Sequence, residues 1–185
     1  MADSPWDMLS AVGTLGAVFT ALGLSYLSSR ASGKVATDKA ELAAAKMVNP
    51  LSVLERKASY LFTWFYLEKG EPINDYMNIL RAIQELDVMA RAISIDDLYP
   101  LLQLKNHAAK RSARALGLIQ SFTSDATSML THHSWSNGAL RETHHKRWAA
   151  MLSEIKDHLA IAVLACDAAA STGAPRPSTE EIMGQ

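Results

Sequence analysis

The stretch WDMLSAVGTLGAVFTALGLSYLSSR, residues 6–30, decides the fold. It reads as a membrane span, a cleaved signal, or the first core helix of a soluble bundle. From Met8 to Leu27 there are 20 residues without a charge. As a helix they measure about 30 Å, the thickness of a bilayer's hydrocarbon core. Leu9, Val12, Leu15, Val18, Phe19, Leu22, Leu24 and Leu27 favour insertion by roughly 0.3–0.6 kcal/mol each, against three glycines and several hydroxyls. A secretory signal opens with basic residues, whereas MADSPWD holds two acids and no base. Trp6 and Tyr26 bracket the run, as aromatics do at the two interfaces. The reading preferred on these grounds is an uncleaved single span.

Flanking charge sets the orientation. No Lys or Arg precedes the run, while Arg30, Lys34, Lys39 and Lys46 follow it. The positive-inside bias places that side in the cytoplasm and the short leader, residues 1–7, outside. Gly13, Ala17, Ala21 and Ser25 recur every fourth position, so they line one helix face that another helix can approach closely in lipid. This points to self-association or to docking on a membrane partner.

Beyond the run the pattern is helical. SSRASGK, residues 28–34, is a flexible link by composition. An Ala-rich stalk helix then reaches Asn49-Pro50, where proline is expected to break it. Four amphipathic helices follow, over about 51–68, 74–93, 94–131 and 139–170. Leu54, Ala58, Leu61, Phe62 and Phe65 mark the first, which Gly70 and Pro72 end. Ile79, Ile83, Leu86, Ala90 and Ile93 mark the second. Ser94 or Asp96 can cap the third, and its first turn tolerates Pro100. The fourth carries the clearest stripe, through Trp148, Met151, Leu152, Ile155, Leu159, Ala162, Val163 and Cys166. The tail from 171 to 185 is polar with Pro and Gly and is expected to be disordered. Alternating Val, Ile and Thr runs are absent, so no strand is expected.

The fold expected is all-α: a single N-terminal transmembrane helix, 8–27, a stalk over 28–50, and an antiparallel bundle of about four helices over 51–170. The arrangement resembles that of small bacterial membrane proteins with an N-terminal anchor and a helical domain. That resemblance is one of layout and carries no residue-level function.

Charges nearly cancel, with 18 basic and 19 acidic residues, so overall charge favours neither nucleic acid nor membrane. The lone Cys166 sits in an apolar run, as a buried small side chain does, and fits a reducing compartment. Three local patterns stand out. His132, His133, His144 and His145 flank one turn and offer imidazoles to a divalent metal, with Glu142 and His145 in a single E-x-x-H. Lys105, Lys110, Arg111 and Arg114 fall in a stretch without acids between Asp97 and Asp125. They suit anionic headgroups or an acidic partner. No aromatics interleave with them, so stacking on single strands has no support. YLFTWFYL, residues 60–67, sets Tyr60 and Trp64 off the core stripe, where they can meet a partner or a membrane interface.

There is no Gly-rich phosphate loop, no G-x-S-x-G and no H-E-x-x-H, so neither catalysis nor a cofactor is expected. The function expected is that of a binding, scaffold or accessory module of a membrane assembly. Its place would be the inner membrane, with its domain in the cytoplasm and its partner another protein or a second copy held through the span. Two other classes remain open at this stage. One is a soluble helical protein with a histidine metal site. The other is a small oligomerising membrane effector.

Overall fold

A computed structural model of the chain describes residues 5–67 and 76–184, with side chains at 5–19, 21, 23, 76 and 134 outside the description. It divides into two units, Met1–Asp38 and Lys39–Gln185. The described secondary structure is helical throughout: α1 (Pro5–Leu67), α2 (Tyr76–Arg91), α3 (Ile95–Leu98), α4 (Ala108–Leu130), α5 (Gly138–Gly173) and α6 (Thr179–Met183), with 3₁₀ turns at Pro100–Gln103, Lys105–His107 and His133–Ser136.

In the smaller unit, Leu22, Leu24, Tyr26 and Leu27 are 62–66% exposed. Among the described residues no helix is long and apolar enough to cross a membrane. The transmembrane helix expected over Met8–Leu27 is therefore not supported by the structure. Most of that segment's side chains, including Gly13, Ala17 and Ala21 of the small-residue stripe, lie outside the described residues; Ser25 is exposed. The link expected at residues 28–34 is helix instead, because one glycine among Ser, Ala and charged residues costs only about 1 kcal/mol. Thr37 Oγ1 donates to the Gly33 carbonyl at 3.1 Å there.

The larger unit is the bundle. Its core along α1 is Ala40, Ala44, Met47, Leu51, Leu54, Ala58, Leu61 and Phe65, all buried. Steps of four and three alternate, the heptad spacing that keeps one seam facing its neighbours in a left-handed bundle. The bundle thus begins inside the expected stalk. Pro50 does not end the helix. It forfeits one backbone hydrogen bond at about 3 kcal/mol, and burial of Met47, Leu51 and Leu54 around it offsets that loss.

On α5 the buried set His145, Trp148, Leu152, Ile155, Leu159, Ala162 and Cys166 repeats the same spacing. Asn137 caps this helix, its Oδ1 accepting from the Ala139 and Leu140 amides. Ion pairs and ring contacts order the elements. Lys57 meets Glu85 at 2.5 Å, joining α1 to α2. Trp64 meets His145 at 5.7 Å and Gly173 lies against Glu41, so α5 runs antiparallel to α1. Arg114 meets Glu154 at 3.0 Å, joining α4 to α5.

The third expected helix is broken. Ser94 and Asp97 form a capping box that starts α3. Asn106 and His107 then adopt φ of 58° and 55°, a left-handed conformation that no α-helix interior accommodates. The chain turns there before α4. Leu98 and Leu101 are buried, whereas Leu102 is 52% exposed. The start expected at Asn74 and the breakers Gly70 and Pro72 lie outside the described residues. The tail contains a short helix, not a featureless coil: Ser178 and Glu181 form a second capping box for α6. Every described residue from Ser171 onward is exposed.

Candidate functional site

Four histidines come first. His132 and His133 are exposed, with ring centroids 4.1 Å apart. His144 is half-buried, its Nδ1 3.8 Å from Asp125 Oδ2. His145 is buried, its ring 5.2 Å from Phe65, 5.7 Å from Trp64 and 5.7 Å from Trp135. Adjacent helical positions diverge by about 100°, which sends these two rings to different surroundings. Among the described residues no group of three or more His, Cys, Asp and Glu is placed to hold a metal ion.

Asp125 organises this end of the bundle. It accepts from Trp148 Nε1 at 2.6 Å and pairs with Arg147 at 3.0 Å. Burial, helped by the charges of Arg141 and His144, holds the His145 imidazole down to about 4. Its unfolded value is near 6.5, so folding favours the neutral ring. The contribution is complete above pH 6.5 and is lost as pH falls through 6.5 toward 4, by about 3 kcal/mol at most. Asp97, held at about 2 by hydrogen bonds from Lys46 and Ser94, titrates below that window. Urea midpoints are expected to fall between pH 7 and pH 4.5, and to fall less in His145→Gln. Equal slopes in the two proteins would remove His145 as the cause.

Of the four expected cations, Lys110, Arg111 and Arg114 lie on α4 and Lys105 in the turn before it. Arg111 donates from Nε to the Asn106 carbonyl at 2.9 Å and approaches His158 Nδ1 at 3.3 Å. Arg114 pairs with Glu154 at 3.0 Å. Arg111 is half-buried, while Lys105, Lys110 and Arg114 are exposed. Trp64 is half-buried and edge-on to Phe65 at 4.9 Å. Tyr60 is 52% exposed. Cys166 is buried, and burial pushes its thiol up to about 11, so it is an inert side chain at neutral pH.

Tyr60 belongs to a feature that the sequence reading did not assemble. A groove of about 760 Å³ runs between α1 and α2. Val53, Tyr60, Val88 and Met89 supply its apolar wall, and Arg56, Lys57 and Arg81 its cations, with Glu85 among them. Lys57 neutralises Glu85, whose carboxyl its hydrogen bond and charge hold below the ordinary value. Arg56 and Arg81 also line the groove and are exposed; Arg56 Nε donates to the Ser52 carbonyl at 3.4 Å, and the charge of Arg81 adds to the lowering of Glu85. Val53, Arg56, Lys57 and Tyr60 fall at i, i+3, i+4 and i+7 on α1. Arg81, Gln84, Glu85 and Val88 repeat that spacing on α2. Each stripe was legible alone, but their meeting depends on which helices pack side by side.

A concave, mostly apolar strip between two helices, edged by net positive charge, suits an amphipathic helix with acidic flanks. Comparison with known proteins gives no guide to an occupant: no family model, no curated protein and no solved structure matches this chain.

Proposed function

We propose that this protein is a membrane-attached binding module, not an enzyme, with the α1–α2 groove as its docking surface. The groove carries the reading, because it joins an exposed apolar strip to Arg56 and Arg81, which add to Lys57 against the single carboxylate of Glu85 in its lining. The attachment rests on the sequence of Met8–Leu27, uncharged over 20 residues, with Leu22, Leu24 and Leu27 left uncovered. The positive-inside bias puts the bundle on the cytoplasmic side.

The test uses a designed acidic amphipathic helix, with two Glu and two Leu in each turn, labelled and titrated with the purified chain. Saturable binding is expected, weakened at least about tenfold, or by some 1.4 kcal/mol, in Arg56→Glu/Arg81→Glu. Both arginines are exposed, so the variant is expected to keep its thermal transition. Binding that ignores the double reversal would refute the groove.

A further inference from the structure

Resting on that reading of the groove, we infer that its occupant is the tail of a second copy of this chain. The tail has the required chemistry. Helix α6 carries Glu180 and Glu181 in its first turn and ends with Ile182 and Met183, which are 70% and 71% exposed. Two acids followed by two large apolar side chains match Arg56 and Arg81 beside Val53, Val88 and Met89. The capping box of Ser178 and Glu181 forms the helix in advance, which lowers the ordering cost of docking. Glu181 uses Oε2 in that cap and Glu180 is not drawn into it, so carboxylate oxygens remain for the arginines.

Direction decides between the chain's own groove and a second copy's. Gly173, where α5 ends, lies against Glu41. Arg56 is 15 residues further along α1, about 22 Å at 1.5 Å per residue. The six steps from Gly173 to Thr179 cover about 20 Å when fully extended, so docking on the same chain would need nearly the whole linker laid straight back along α1. Helix α5 runs antiparallel to α1, so the linker leaves the bundle heading away from the groove and would first have to reverse. A neighbouring copy meets no such restriction. The contact is head-to-tail, so it closes into a pair by reciprocal exchange or continues as a chain of copies.

The probe is a labelled, C-terminally amidated peptide of residues 174–184, titrated with the full chain. It is expected to bind saturably, to lose at least about tenfold in affinity to the Arg56→Glu/Arg81→Glu protein, and to regain it there when the peptide carries Glu180→Lys and Glu181→Lys. Differently tagged full chains are expected to co-purify, and to stop doing so in the double arginine variant. If the tail peptide fails while the designed acidic helix binds, this inference falls and the groove reading stands. If both fail, both fall. Binding that maps to the exposed corner of Ile95, Tyr99 and Leu102, near Lys110, would also overturn it.

Discussion

Trp148→Ala is expected to remove about 3–5 kcal/mol of stability, the usual range for truncating a buried tryptophan. Trp148 is fully buried. Its ring lies 5.1 Å from Phe65, 5.4 Å from Trp135, 5.2 Å from His144 and 6.3 Å from Phe122, so helices α1, α4 and α5 and the turn before α5 all lean on it. Alanine there leaves a cavity walled by rigid rings from different helices, which cannot collapse together. The indole's hydrogen bond to Asp125 is a smaller part of the loss. Asp125 is 25% exposed and keeps Arg147, so water can replace the donor. A domain of this size is stable by about 5–15 kcal/mol, and its melting temperature falls by roughly 2–4 °C per kcal/mol. A drop of roughly 6–20 °C by circular dichroism follows, and Trp148→Phe is expected to recover more than half of it. A shift of only a degree or two would show that this aromatic cluster is not the keystone of the core.

The same cluster shows how far the sequence could be read. The α5 stripe was visible because large residues recur at heptad spacing against polar neighbours. Its counterpart on α1 was half hidden. Ala40, Ala44 and Met47 bury as fully as Leu51, but alanines sit equally well on any face of a helix, so the run looked like a stalk. Pro50 then seemed a boundary, because local propensity speaks against it and only tertiary burial overrides that penalty. At Asn106 and His107 the reverse holds. Asn and His are among the non-glycine residues enriched in the left-handed region, but one such pair in LKNHAAKR is a weak signal, and the helical periodicity either side was read straight through it. The same turn separates Lys105 from Lys110, Arg111 and Arg114 on α4, and Arg111 and Arg114 meet His158 and Glu154 of α5. The groove was missed for a different reason. Its residues follow helical spacing within α1 and within α2, but a solvated stripe and half of a groove look alike until the helices are paired.

Removing residues 1–36 is expected to separate attachment from folding completely. No described residue before Ala40 is buried, and the heptad seam begins at Ala40. The fragment would open at Thr37 and Asp38, with Asp38 placed to cap the shortened helix and Glu41 three residues on to complete a capping box. The core from Ala40 to Cys166 would stay intact, so the fragment is expected to be helical and to melt cooperatively within a few degrees of the full chain. Full-length protein, by contrast, is expected to stay in the pellet through an alkaline carbonate wash and to leave it only with detergent, because the eight large apolar side chains of the run favour lipid by roughly 2–5 kcal/mol before its glycines and hydroxyls subtract, and no charge opposes them. The two halves of the experiment fail separately. A molten or unfolded fragment would mean that Met8–Leu27 is core, which is the soluble reading. A folded fragment from a full chain that never enters the pellet would leave the binding groove standing and remove the membrane from the proposal. The greasy segment would then need a protein to cover it, and the exposed Leu22, Leu24 and Leu27 are where crosslinks to that protein should be sought.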